Sequence, residues 1–327
     1  MKKIAILTSG GDAPGMNAAI CSIARSSYNL DIELVGFLKG FEGLIDGDFI
    51  ELNWDSVKNI IQRGGTILKT ARSMRFLEES YRKLAYDNLK INNIDGLIVL
   101  GGDGTFKGAS IFSNEFHFPI IGIPSTIDND LTGTDFCIGF DTAINTAMDA
   151  IDRIRDTAES HNRLFFVEVM GRDSGMIALH SGIAGAAEII LIPETKMSID
   201  ELVILIKKQL KHIESSLIVI VAEGDEEGGA HVISRTVKTH FPDLEIRITV
   251  LGHIQRGGKP TCMDRFLSIR LGIAALDALK NGFTSHMVGV KNNDVVFHPL
   301  DKAVKKAIQL DQVMLHFFES FNSYEKV

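Results

Sequence analysis

Short apolar runs alternate with amphipathic stretches along the whole chain. Lys3–Thr8, Leu34–Phe37, Gly96–Leu100, Ile120–Ile123, Leu164–Val169, Ile189–Ile192, Leu217–Val221, Glu245–Leu251 and Met287–Val290 read as strands. Most are apolar on both faces rather than alternating, as strands covered by helices on both sides must be. Between them, Phe140 to Arg155 places Ile144, Ala147, Met148, Ile151 and Ile154 at helical spacing, so one stripe can face a sheet. Ser198-Ile199-Asp200-Glu201 is a capping box, and Leu202, Val203, Leu205, Ile206 and Leu210 follow on one helical face. Asp264 to Lys280 predicts another helix, with Phe266, Leu267, Leu271, Ala274 and Ala275 turned inward. This strand–helix alternation predicts an α/β architecture with open parallel sheets and right-handed crossovers. Strands lie on both sides of Gly139, which predicts a domain boundary there, with the chain free to cross back later.

Composition narrows the class. At 327 residues, with 45% apolar and 23% charged positions, the chain is of ordinary globular make-up and long enough for two domains or one large one. Lys and Arg total 34 against 42 Asp and Glu, a net charge of −8, which argues against nucleic acid or an anionic membrane as the main partner. A local arginine cluster could still bind a small anion. Three widely spaced cysteines give neither a disulfide framework nor a zinc knuckle, so a cytoplasmic location is expected. No apolar stretch approaches the roughly 18 residues of a membrane span. The ten histidines lack metal-ligand spacing.

The candidate chemistry follows the strands, where open α/β sheets bind ligands. After the first comes Thr8-Ser9-Gly10-Gly11-Asp12-Ala13-Pro14-Gly15-Met16-Asn17, a glycine-rich turn into a helix that can receive a phosphate or serve as a plain βα turn. After Gly96–Leu100 comes Gly101-Gly102-Asp103-Gly104-Thr105, an acid among glycines that can hold magnesium beside nucleotide phosphates. Walker A and Gly-x-Gly-x-x-Gly signatures are absent. After Ile120–Ile123 comes Pro124-Ser125-Thr126-Ile127-Asp128-Asn129-Asp130, whose carboxylates could divide proton abstraction from ligand support, or simply close an Asx turn. Met170-Gly171-Arg172, Glu223, Arg247 and Gly252-His253-Ile254-Gln255-Arg256-Gly257-Gly258 add cations and donors, with Arg72 and Arg163 elsewhere. Jointly these point to phosphoryl transfer, which needs a base, a metal on the donor and cations around the moving charge.

With these motifs the sequence resembles the bacterial-type ATP-dependent 6-phosphofructokinases almost end to end. The pair TIDND (Thr126–Asp130) and GHIQRGG (Gly252–Gly258) is the most specific, supported by TSGGDAPGMN (Thr8–Asn17), Arg63-Gly64-Gly65-Thr66 and Gly133-Thr134-Asp135. GGDGT alone is less so, because diacylglycerol and NAD kinases carry something similar. The resemblance implies two Rossmann-like three-layer α/β/α domains with mainly parallel sheets. Residues 1–139 with about 255–305 would form a larger ATP-binding domain. Residues 140–254 with about 306–327 would form a smaller fructose 6-phosphate-binding one. It implies transfer from ATP to the 1-hydroxyl of fructose 6-phosphate, the committed step of glycolysis, in a homotetramer. Asp128 would be the base, and Asp103 would hold Mg²⁺. Gly11, Arg72, Gly102, Gly104, Thr105, Lys107 and Gly108 would contact the nucleotide. Thr126, Asp130, Arg72 and Arg172 would support the reacting centre. Met170, Gly171, Arg172, Glu223, His253 and Arg256 would hold the sugar, with Arg163 and Arg247 reaching its phosphate across a subunit interface.

Departures from the family pattern refine this. Pyrophosphate-dependent relatives carry Asp where this chain has Gly104 and Lys where it has Ser125. The small residues here leave room for a nucleotide α-phosphate, so ATP is the expected donor over pyrophosphate. A catalytically silent sugar-phosphate sensor would need the cations but not the base. The effector site for ADP or phosphoenolpyruvate keeps Arg25, Arg155 and Glu188. However, Cys21 replaces an Arg, Asp55 a Tyr, and His212-Ile213-Glu214-Ser215-Ser216 a lysine-rich run. Each lost charge-assisted hydrogen bond is worth about 1.5–3 kcal/mol, so a weak or absent effector response is expected. Lys69 stands where Gly is common, either as a cation near the nucleotide or as a solvent-facing side chain.

Overall fold

The computed structural model describes residues 1–158, 163–195, 197–212 and 217–305, with His212 described by its backbone alone. In chain order the first elements are β1 (Lys3–Thr8), α1 (Met16–Asn29), β2 (Glu33–Phe37), α2 (Phe41–Asp46), β3 (Phe49–Glu51) and α3 (Glu79–Ile91). They are followed by β4 (Gly96–Gly101), α4 (Asp103–Phe116), β5 (Ile120–Pro124), α5 (Phe140–Ala158), β6 (Arg163–Val169), α6 (Met176–Ala184) and β7 (Ile189–Leu191). The last are α7 (Ile199–His212), β8 (Leu217–Ala222), α8 (Ala230–His240), β9 (Glu245–Val250), α9 (Cys262–Lys280), β10 (His286–Lys291) and β11 (Asp294–Pro299).

Two compact units result: residues 1–142 with 256–305, and residues 143–255. The first changeover lies inside α5, past Gly139; the tail expected in the smaller domain lies outside the described residues. The first unit's sheet has the order β11-β10-β5-β4-β1-β2-β3. Its five inner strands run parallel, and β3 and β11 are antiparallel edges. The second unit's sheet, β7-β8-β6-β9, is parallel throughout. The strand runs read from the sequence are all present within one or two residues.

β3 and β11 lie outside those runs. β3 has three residues, none of them buried, so it leaves no apolar run to read. β11 is partly exposed, but the turn before it, Asn292-Asn293, has both residues at positive φ (50° and 68°). An Asn pair of that kind is a hairpin signal, since tight hairpin turns need left-handed backbone.

In the second unit, Leu164 and Phe166 of β6 and Leu217, Val219 and Val221 of β8 point to one face, where Leu202, Ile206, Ile233 and Val237 cover them. The Ser198 capping box forms as read: Ser198 N–H donates to Glu201 Oε2 (2.8 Å), and Glu201 N–H donates to Ser198 Oγ (3.3 Å). One inward assignment fails. Phe266 of α9 is 59% exposed, and the buried line is Asp264, Ser268, Leu271, Gly272, Ala275 and Leu279. A Cβ on Gly272 would fall 2.1 Å from Ser22 Oγ of α1. The α1–α9 contact is too close for an aromatic ring, so the small-residue face packs there and the Phe stays outside. Among the described residues no helix is long and apolar enough to cross a membrane.

Candidate active site

β1, β4 and β5 are neighbours in the first sheet, so the loops after them emerge side by side. Backbone bonds tie the loops together: Ser9 N–H to Leu100 O (2.9 Å) and Ser125 N–H to Gly101 O (2.9 Å). Thr105 Oγ1 donates to Ser9 O (3.2 Å), so that hydroxyl holds the glycine loop in place. A strap over residues 66–72 runs alongside, with Thr70 Oγ1 donating to Gly10 O (2.7 Å), and delivers exposed Arg72 to the same loop. Arg256 Nη1 donates to Asp12 O (3.1 Å) and lies 2.7 Å from where a Gly11 Cβ would stand. Gly11, Arg72, Gly102, Asp103, Gly104, Thr105, Thr126, Asp128, Asp130 and Arg256 thus belong to one region of the first unit. Lys107 is exposed on α4, and Gly108 lies against Phe41 and Phe76.

Asp103 is the first residue of α4, where the helix dipole favours an anion. Gly104 follows it, and a Cβ there would meet nothing within 4 Å. The acids on the β5 loop are buried instead. Asn129 between them adopts left-handed backbone (φ 49°) and clamps the loop: its Nδ2 donates to Asp135 O (3.0 Å), and its Oδ1 accepts from Cys137 N–H (2.7 Å). Behind the loop, buried Asp264 accepts from Gly139 N–H and Thr142 N–H (2.8 Å each), capping the start of α5.

Burial pushes Asp130 from an ordinary 3.8 up to about 6, with the Asp128 carboxylate adding to the rise, Lys305 opposing it, and Asp103 adding a smaller push. Three carboxylates from two neighbouring loops therefore sense one another. Between pH 4 and 6 the folded chain keeps the proton while the unfolded chain releases it, so stability present at low pH is lost as pH rises through about 6. The loss through this group is on the order of 2–3 kcal/mol. Asp130→Asn should accordingly melt several degrees above the parent at pH 8 and level with it at pH 4. Thermal scans at the two pH values check this, and equal shifts at both would contradict it.

In the second unit, the turn after β6 is held by Glu223, whose Oε1 accepts from Gly171 N–H (3.3 Å) and Arg172 N–H (2.9 Å). Arg172 adopts left-handed backbone (φ 52°), and a Cβ on Gly224 would fall 1.8 Å from its carbonyl oxygen. Only glycine permits that approach. Gln255 Oε1 accepts from Met170 N–H (3.3 Å), and Glu194 Oε1 accepts from Gly175 N–H (2.8 Å). Met170, Gly171, Arg172 and Glu223 are thereby assembled, and His253 is exposed on a short 3₁₀ turn, Gly252–Arg256.

Arg163 and Arg247 do not join them. Arg163 begins β6, roughly 20 Å along the strand from Met170. It pairs with Glu245 (2.7 Å), its register partner on β9, and Arg247 pairs with the same carboxylate. The expected effector residues are also engaged. The Arg25 guanidinium lies 4.8 Å over the Trp54 ring. Cys21 is buried, which pushes its thiol up. Arg155 pairs with Glu188 (3.0 Å) and donates to Gly185 O (2.9 Å). The His212 side chain and Glu214 lie outside the described residues.

Gln255, read from the sequence among the donors after β9, holds the Met170 backbone, while the sequence assigned no role to Asn129, Glu194 or Glu245. An Asn inside a turn is a left-handed signal in itself, but nothing local marks Glu194 or Glu245.

The sequence pattern of the family described as Phosphofructokinase matches residues 3–279. The chain is 50% identical over 315 residues to "ATP-dependent 6-phosphofructokinase 2" of Bacteroides thetaiotaomicron, covering 96% of this chain and 97% of that protein. It is also 50% identical over 315 residues to "ATP-dependent 6-phosphofructokinase 1" of Thermus thermophilus, covering 96% and 98%. The solved structure of Pichia pastoris phosphofructokinase in the T-state superposes with a TM-score of 0.88 at 35% identity, covering 98% of this chain. This chain spans 36% of that larger polypeptide. The family pattern covers most of the chain and these relatives match it nearly end to end, so the chain belongs to the phosphofructokinase family.

Proposed function

We propose that this chain transfers the γ-phosphoryl group of ATP to the 1-hydroxyl of fructose 6-phosphate, giving fructose 1,6-bisphosphate and ADP. The observation that carries the reading is the grouping of Asp103, Asp128 and Asp130 on adjacent loops, beside a glycine position open to solvent. In this reading the first unit holds the donor and the base. Asp128 takes the proton of the acceptor hydroxyl, whose oxygen attacks the γ-phosphorus as the bond to the β-phosphate oxygen breaks. Asp130 and Thr126 support the reacting centre. Arg72 and the Gly11 amide face the phosphates, with Gly102, Gly104, Thr105, Lys107 and Gly108 along the nucleotide. In the second unit Met170, Gly171, Arg172, Glu223 and His253 hold the sugar phosphate. Arg256 belongs to the first unit, where its Nη1 donates to Asp12 O beside the glycine loop. Glu223 also fixes the Arg172 backbone in the turn that presents the guanidinium.

The residues fit a magnesium ion. Mutually repelling carboxylates lower their energy around a divalent cation, and magnesium takes one or two carboxylates with phosphates and waters. Asp103 would hold it, and it would neutralise the donor phosphates. Arg163 and Arg247, remote from the Arg172 turn, would serve the phosphate of a neighbouring copy in a homotetramer. Assay of the purified protein with ATP and then pyrophosphate tests the donor. Turnover with pyrophosphate and none with ATP would overturn it.

Regulation should be weak. Trp54 already occupies Arg25, and Cys21 offers no charge. Millimolar ADP or phosphoenolpyruvate is expected to move half-saturation by fructose 6-phosphate less than about twofold. A shift of tenfold in the saturation curve would contradict this.

A further inference from the structure

Lys69 is exposed and held in left-handed backbone (φ 58°), which glycine adopts freely and a residue with a Cβ adopts under strain. Many of the non-glycine residues in that region are Asn or Asp, which tolerate it. Three are long cations: Lys39, Lys69 and Arg172. Arg172 stands in the candidate sugar site. Lys39 is adjacent to Lys69 in space, its N–H donating to Leu68 O (2.8 Å), but its charge acts on the Asp46 carboxylate. Lys69 has no carboxylate partner among the described residues.

Its backbone is built into the glycine loop. Thr8 Oγ1 donates to Lys69 O (2.8 Å), Thr70 Oγ1 donates to Gly10 O (2.7 Å), and Gly10 N–H donates to Ala71 O (3.4 Å). Arg72 follows directly. A strained cation without a local counter-charge, on the strap that borders an anion-binding loop, is placed as ligand-binding residues are. We propose that Lys69 is a further nucleotide-phosphate-binding residue, a second cation beside Arg72 that sets affinity for the donor. This rests on the assignment of the Thr8–Asn17 loop to the ATP phosphates. Lysine suits the position because it acts as a point charge on a long flexible stem and needs no fixed fork geometry.

Three variants test it: Lys69→Gly, Lys69→Met and Lys69→Arg. ADP affinity is read by calorimetry, both KM values by kinetics, and thermal stability by melting. Lys69→Gly should weaken ADP binding and raise the KM for ATP about fivefold, leave the KM for fructose 6-phosphate unchanged, and melt about 2–4 °C higher through relief of strain. Lys69→Met should show the same loss of nucleotide affinity without the gain in melting temperature, and Lys69→Arg should keep affinity near that of the parent. ADP bound by Lys69→Gly and Lys69→Met as tightly as by the parent would overturn the role of Lys69 and leave the proposed reaction standing. A parent protein that binds no ADP and turns over with pyrophosphate would remove the reaction and this role together.

Discussion

Asp128→Ser should lower kcat about a thousandfold or more while both KM values stay within about threefold of the parent. A general base acts mainly in the transition state, so its loss falls on turnover rather than on binding. The structure adds a second signature. Asp128 is buried (4% exposed), and its charge helps to hold Asp130 near 6. Removing that charge should lower the Asp130 titration and raise the melting temperature at pH 8. Steady-state kinetics with a melting curve check both halves. Near-parent turnover in the variant would remove the base assignment. Lost turnover with a lowered melting temperature would mean that Asp128 holds the loop rather than the proton.

Gly104→Asp should abolish most ATP-dependent turnover without harming the fold. The open space around Gly104 admits a side chain, so the melting temperature should stay within about 2 °C. The added carboxylate would stand one residue from Asp103, at the loop assigned to the nucleotide phosphates. Two like charges about 4 Å apart repel by roughly 4 kcal/mol at an effective dielectric of 20. Screening by water and by the donor's metal reduces this, so kcat/KM for ATP should fall about a hundredfold. Gly104→Ala fills the same space without charge and should lose less than about tenfold. If Asp and Ala prove equally mild, the nucleotide does not pass this position.

The two effects have different origins in the fold. The effect expected at Asp128 comes from its burial beside the Asp130 carboxylate, whereas the effect expected at Gly104 comes from the open space around it. Both conditions arise where β4 and β5 end side by side, their loops joined by the Ser125–Gly101 backbone bond. The Asn129 clamp then sets how far the acidic loop can move, since Asp135 O and Cys137 N–H are both fixed to its side chain.

The sequence by itself determined the strand–helix alternation, the capping box at Ser198 and the identity of the motif residues. Each of these is written in local spacing: apolar runs, a hydroxyl three residues before a carboxylate, glycines flanking an acid. It did not reveal β3, whose three residues bury nothing completely, nor the true packed face of α9. There the spacing placed Phe266 inside, and only the close approach of α1 decided that Ser268 and Gly272 pack instead. The tertiary structure alone separated Arg163 and Arg247 from the Arg172 turn, because parallel register puts them at the starts of their strands, on a shared Glu245. It alone raised Asp130, because that shift needs burial and a neighbour's charge together. Local spacing can name an acid or an arginine; what each one faces is set by strand order and by which side chains reach across it.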